Sequence, residues 1–359
     1  MRAFACPVCN GFVAFESAQC ANCQTALGFH LPSKTMLPVV DGSAVVGSDP
    51  GSEWVWCTQH GTLGCNWLAP AESTYERGRC LSDSLIRREP AADDTLAREK
   101  LVPTAEALRR LVYQLDELGL PVDPFWRRDG GLAFDLLSSY TTGEKVIIGH
   151  AGGVVTIDVV ESLDLYRESM RVRLGEPYRT MLGHFRHEVG HYYQNILVET
   201  GSGATRYLDE CRTLFGDEQA SYSDAIARHY VTGAPEGWEE NFISEYATMH
   251  PWEDFAECFA HYLHITDTIE TSREAGMVLL ADRVRFTAPR DIVPLESYAD
   301  EPIERLLFDW HWMSLLFNRV NIAMGKRPVY PFDIPPAVVT KLGFVHRVIR
   351  ETARAAGGN

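Results

Sequence analysis

With 359 residues, 45% of them hydrophobic and 23% charged, the chain can build a core of ordinary size, in one large domain or two to three smaller ones. Its 33 Lys and Arg against 49 Asp and Glu leave a net charge of −16, which argues against a sequence-independent grip on nucleic acid phosphates. No apolar run of membrane-spanning length occurs, and the start MRAFACPVCN lacks the charged and then apolar order of a signal peptide, so a cytoplasmic protein without a membrane partner is expected.

Nine Cys are present, and seven of them fall in the first 80 residues, which divides the chain before any motif is read. Residues 1–50 read as a zinc ribbon. Cys6-Pro7-Val8-Cys9 and Cys20-Ala21-Asn22-Cys23 are two CxxC pairs, each able to turn a tight knuckle that offers two thiolates to one tetrahedral ion. Disulfides are the competing reading, but a reducing compartment and paired CxxC spacing favour a closed, structural zinc site. Residues 51–92 form a Cys-containing extension. There Cys57, Cys65 and Cys80 could hold a second structural zinc if His60 or Asp83 gave the fourth ligand; the alternative is three buried free thiols.

From residue 93 to 359 the pattern changes to that of a larger, mostly helical domain. Apolar residues at helical spacing predict a helix over Thr95–Leu118, ended by Gly119 and Pro121. Strands are expected over Leu132–Leu137, Lys145–Ile148 and the β-branched run Val154–Val159. The last of these, preceded by two glycines, could be an edge strand on which an extended substrate pairs. Helices are then expected over 162–173, 180–198, 217–231, 251–265, 302–324 and 335–354. The fold class is α+β: a small β zinc ribbon fused to a mostly helical domain with a small mixed sheet.

The segment His187-Glu188-Val189-Gly190-His191 is HExxH. On a helix, His187 and His191 share one face and can reach one Zn²⁺, while Glu188 beside them can take a proton from a metal-held water. Gly190 lets a neighbouring segment approach. A catalytic zinc needs a third protein ligand and one open position. Asp209, Glu210, Asp217, Glu218, Glu253, Asp254 and Glu257 are candidates. Glu253 has the best setting, because Pro251 opens a helix whose apolar face is Trp252, Phe255, Ala256, Phe259 and Leu263. Glu253, Glu257, His261 and His264 make a polar stripe on that helix, either a solvated face or the lining of a cation site. His184 and His250 read as packing or capping residues, Cys211 and Cys258 as core thiols; His150 and Tyr140 have no assignable role.

Several stretches then carry a family resemblance. CPVCNGFVAFESAQCANCQTALGF with CNWLAPA, and later YRTMLGHFRHEVGHYY, LFGDE, FISEYATMHPWEDFAECFAHYLH and YPFDIPPAVVTKLGFVH, together resemble a bacterial family of zinc-binding metallopeptidases with an N-terminal zinc ribbon. The resemblance covers nearly the whole chain and implies a zincin-like catalytic domain. Asp83 stands where this family leads one to expect a Cys, which counts against the second structural site. The run from Tyr246 through Glu253 to Glu257 is also similar to the catalytic domain of anthrax lethal factor. That likeness implies Glu253 as third zinc ligand, Tyr246 as donor to the oxyanion, and Glu257 as a carboxylate behind a ligand imidazole.

The expected function is a zinc-dependent peptidase with one catalytic and one or two structural Zn²⁺, acting on a peptide or protein. The alternative is a regulatory module that binds protein or nucleic acid through its ribbon and carries a degenerate peptidase domain. Six basic against eight acidic residues in the first 90 disfavour nucleic acid, whereas Trp54, Trp56 and Trp67 suit a protein partner. Hydrolysis of a non-peptide amide is a third possibility.

Overall fold

The structure is a computed structural model that describes residues 2–46, 53–72, 78–139, 146–159, 180–284 and 288–357. Two compact units divide it, Met1–Asp116 with Pro121–Leu163, and Glu117–Leu120 with Asp164–Asn359. The helix expected over 162–173, and Tyr140, lie outside the described residues.

The first unit is built from short hairpins. Strands β1 (Phe4–Ala5) and β2 (Phe12–Val13) pair antiparallel, as do β3 (Leu27–His30) and β4 (Thr35–Pro38). An antiparallel sheet of three follows, β5 (Ser43–Val45), β6 (Glu53–Trp56) and β7 (Leu68–Pro70). Hairpins this short cannot close a core alone. They are covered by aromatic packing: Phe15 lies 5.2 Å from Phe29, 6.1 Å from Trp67 and 5.1 Å from Tyr113, ring centre to ring centre. Tyr113 comes from the helix α1 (Thr95–Glu117), where the apolar spacing predicts it. The buried Asn66 amide donates to the carbonyls of Phe15 and Ser17, at 2.6 and 3.1 Å, and so ties the extension to the ribbon.

A four-stranded sheet completes this unit, in the order β10 (Gly149–Ala151), β11 (Val154–Asp158), β9 (Ala133–Leu137), β8 (Ile86–Arg88). Because β8 comes from the Cys-containing extension, the compact unit runs past the composition shift near residue 92. Two expectations change here. Residues 146–148 are not a strand, since the Val146 N–H is given to Ser139 Oγ at 3.1 Å instead of a ladder; Lys145 lies outside the described residues. The Val154 strand is not an edge: β9 pairs with it on one side and β10 on the other, so its backbone groups have no room for a substrate strand.

The second unit is helical. It holds α2 (Met181–Tyr193), α3 (Gly201–Arg206), α4 (Leu208–Phe215), α5 (Tyr222–Thr232), α6 (Pro251–Glu274), α7 (Ile303–Ala323) and α8 (Pro336–Gly357). The helix expected over 180–198 is α-helical to Tyr193 and then widens to a π-helix over Gln194–Glu199, a form frequent at functional sites. Helices α3 and α4 escape a periodicity reading because Gly201 and Gly203 look like a loop. Gly203 is needed there, since a Cβ would stand 1.9 Å from the Leu197 carbonyl oxygen. The α5 helix starts at Tyr222 rather than 217 because Ser221 caps it. No helix among the described residues is long and apolar enough to cross a membrane.

Helix α6 is the axis of this unit, with Phe255 and Phe259 packed against Phe215 and Tyr193 at 5.4 Å each. Beside them Lys341 donates to Asp254 at 2.5 Å and to the Asn241 carbonyl at 2.8 Å, with both charged side chains buried. Burial, opposed by Lys341, pushes the Asp254 carboxyl up to about 7. Replacing Lys341 by Met strands a buried carboxylate, and a loss of about 3–5 kcal/mol is expected in urea unfolding. The raised folded-state pKa means that the folded unit takes up a proton there more readily than the unfolded chain. The loss should therefore be smaller at pH 6 than at pH 8.

Candidate metal centre

Helix α2 opens with Thr180 as its cap, the hydroxyl oxygen accepting from the Gly183 N–H at 2.9 Å. Helix α6 opens with Pro251 as a pre-set first residue and His250 as cap, its Nδ1 accepting from the Trp252 N–H at 3.1 Å. The two helices touch through Gly190, where a Cβ would lie 2.9 Å from Ala256 Cα and 3.1 Å from its carbonyl oxygen. That contact lays the first turn of α6 beside the HExxH face.

The consequence is convergence. One nitrogen each of His187 and His191 and a Glu253 oxygen all lie within 4.8 Å of one another. Glu253 Oε2 stands 2.9 Å from His187 Nε2 and 3.5 Å from His191 Nε2. Its other oxygen accepts from the Tyr222 hydroxyl at 2.6 Å. Behind His187, Nδ1 meets Glu257 Oε1 at 2.7 Å, and Glu257 Oε2 accepts from Ser244 Oγ at 2.6 Å. A neutral imidazole has one N–H, yet both nitrogens of His187 face carboxylates. Its Nε2 is therefore protonated or turned to a cation. Burial pulls the His187 pKa down, but Glu253 and Glu257 outweigh it and hold it well above the ordinary value. Burial pushes Glu253 up, and His191 and His187 hold it well below the carboxylate range.

Glu188 is buried, and its Oε1 lies 3.3 Å from His184 Nε2. Its Oε2 is buried with no hydrogen-bond partner among the described residues. An orphaned carboxylate oxygen next to two imidazoles and a carboxylate fits a zinc centre with one position left for water. The Tyr246 ring centre lies 5.6 Å from that of His187. Replacing Glu257 by Gln should free the His187 ring to reorient and lower zinc affinity about 10–100-fold, measured by competition with a chromophoric chelator.

Of the other candidates, Asp209 and Asp217 are not in the cluster, and three more are paired elsewhere. Glu210 pairs with Arg347 at 2.5 Å, Glu218 with Arg212 at 2.5 Å, and Asp254 with Lys341. His261 and His264 are buried, not a solvated face; His261 Nδ1 lies 2.7 Å from the Tyr330 hydroxyl and His264 Nδ1 2.6 Å from Arg186 Nη1. His150 Nε2 accepts from the Gly153 N–H at 3.1 Å, a local turn contact. Cys211 and Cys258 are buried in the core. Sequence reasoning missed Tyr222 and Ser244. Neither sits at a motif spacing, and Tyr222 is 31 residues from the carboxylate it supports.

In the first unit, Cys6, Cys9, Cys20 and Cys23 gather their sulfurs within 4.8 Å of one another. Cys6 and Cys23 are 3.6 Å apart, as are Cys9 and Cys20. Asn10 and Gln24, each just after a pair, take left-handed φ values of 58° and 63°, which turns backbone N–H groups back toward the sulfurs. The Thr25 hydroxyl and N–H pull the Cys23 thiol down to about 6, toward the thiolate a metal needs. Cys57, Cys65 and Cys80 gather likewise, with Asp83 as the fourth member, all buried. The Asp83 N–H points to Cys80 Sγ at 3.5 Å, as in a CxxC knuckle, and Arg109 Nη1 lies 3.3 Å from its carboxylate. His60 is not in the cluster: its Nδ1 meets the Cys65 carbonyl oxygen at 2.7 Å and its ring stacks on Trp56.

The family model described as "putative zinc-binding metallo-peptidase" matches residues 98–348, and a zinc-ribbon domain model matches residues 3–94. Uncharacterized proteins of Mycobacterium bovis and of two Mycobacterium tuberculosis strains are each 40% identical to the chain over 358 residues, covering 98% of it and 96% of theirs. No solved structure matches the chain.

Proposed function

Since the chain belongs to this zinc-binding metallopeptidase family and carries its zinc ribbon, we propose that it hydrolyses peptide bonds at the His187, His191 and Glu253 cluster. The observation that carries this reading is the orphaned Oε2 of Glu188, buried beside three convergent ligand atoms. His187 Nε2, His191 Nε2 and Glu253 Oε2 would hold the catalytic zinc. Bound there, zinc supplies Lewis acidity toward the scissile carbonyl and an acidified water.

The remaining steps belong to the chain. Glu188 takes the proton of the attacking water and passes it to the leaving amine. Tyr246 donates to the oxygen on which negative charge develops. Glu257 keeps the His187 proton on Nδ1, so that Nε2 presents a lone pair, and Ser244 holds Glu257 in turn. Tyr222 holds the second oxygen of Glu253 and so directs the first at the metal. Two further zinc ions would fold the front end, one on Cys6, Cys9, Cys20 and Cys23, the other on Cys57, Cys65, Cys80 and Asp83.

The test is metal content and cleavage on the same sample. Three zinc ions per chain are expected by elemental analysis. Cleavage of a mixed peptide library should stop on addition of a zinc chelator and return with zinc. Cleavage that persists after the metal is gone would overturn the reading.

A further inference from the structure

One cleft of about 490 Å³ lies in the second unit, lined in part by Asn195, Glu199, Arg212, Glu218, Tyr222 and Trp252. It adjoins the candidate metal centre through two of its walls. Tyr222 donates to Glu253, and Trp252 is the residue before Glu253 on α6. Asn195 and Glu199 belong to the π-helical continuation of the helix that carries His187 and His191. A substrate whose scissile bond sits at the metal centre therefore has this cleft as a neighbour.

Its charges do not cancel. Arg212 is bound by both oxygens of Glu218, Nε at 2.9 Å and Nη2 at 2.5 Å, and is neutralised. Glu199 accepts from the Trp252 indole N–H at 3.0 Å, a neutral donor, and forms no ion pair with a described residue. Burial pushes the Glu199 pKa up, against the hydrogen bonds of Trp252 and Asn195, with the like charge of Glu218 adding to the rise and His191 opposing it. The flanking walls are aromatic: Trp252 is 37% exposed, and its ring centre lies 6.0 Å from that of Tyr222. A carboxylate with no ion-pair partner among the described residues, beside two aromatic rings, is complementary to a long apolar stem with a cationic end.

Resting on the peptidase reading above, we infer that this cleft is a specificity pocket that takes a Lys or Arg side chain of the substrate next to the scissile bond. Glu199 meets the cation, Trp252 and Tyr222 flank its stem, and the same carboxylate repels acidic side chains, for which Arg212, held by Glu218, is not available.

The test uses the full-length, zinc-loaded protein and alanine-based peptides that differ at one position, Lys, norleucine or Glu. Binding is read by fluorescence anisotropy on a Glu188→Gln background, so that it does not depend on cleavage; cleavage is read on the protein with Glu188 intact. The Lys peptide should bind at least about tenfold more tightly than the norleucine peptide. Glu199→Gln keeps an acceptor for the Trp252 indole and should erase that difference, and Glu199→Lys should transfer the preference to the Glu peptide. Equal binding of the Lys and norleucine peptides overturns the assignment, and so does a difference that survives Glu199→Gln. Selective binding of the Lys peptide with no cleavage of any peptide leaves the pocket standing and overturns the peptidase reading. Cleavage with no preference for a basic residue does the reverse.

Discussion

Glu188→Gln should reduce peptide cleavage by about 10²–10⁴-fold and leave the zinc content unchanged. The amide is nearly isosteric with the carboxylate, so the packing around this buried side chain is kept. What disappears is the oxygen that can accept a proton and return it to the leaving amine. Zinc retention is expected because Glu188 is not among the three atoms that converge, and those lie on His187, His191 and Glu253. Its Oε1 contact with His184, at 3.3 Å, can be kept by the Gln carbonyl oxygen. Initial rates and elemental analysis of the same preparation check this. A variant that cleaves at the normal rate would remove Glu188 from the chemistry, whatever the metal does.

Cys20→Ser should have the second largest effect, this time on folding. Cys20 is fully buried, with its sulfur 3.6 Å from that of Cys9. Strands of two to four residues around it cannot supply a core that outweighs the entropy of ordering them. On the proposed reading a zinc ion on the four thiolates supplies the deficit, and in small zinc domains such binding amounts to roughly 10 kcal/mol or more. Loss of one zinc ion and of hydrogen-exchange protection across β1–β4 is expected. Full protection in the variant would mean that the aromatic packing of Phe4, Phe15 and Phe29 suffices alone.

Much of this arrangement is legible in the residues, and the reason differs from case to case. HExxH states its geometry outright, because helical periodicity alone brings positions 187 and 191 to one face. The CxxC pairs do the same on the scale of a turn. Both are local, set by a few consecutive dihedral angles. Glu253 was legible one step less directly, from Pro251 and an apolar face that declare a helix. Asp83 remained open against His60, since composition offers both and only the placement of the Leu81–Ser84 turn brings one in. The edge-strand expectation for Val154–Val159 failed for a related reason: a β-branched run announces a strand and is silent about its neighbours.

The sequence by itself therefore determined the candidate donor groups, their local pairing, and the division between thiolate clusters at the front and a His and Glu cluster behind. Tertiary structure alone decided which distant groups complete them. It placed Tyr222 on Glu253, Ser244 on Glu257 and Glu199 in the cleft beside Trp252. These contacts span 13 to 53 residues and depend on how helices cross, in one case on a glycine that lets two backbones meet. Periodicity reports the face a residue occupies; packing decides what stands opposite that face, and the second is a property of the whole chain.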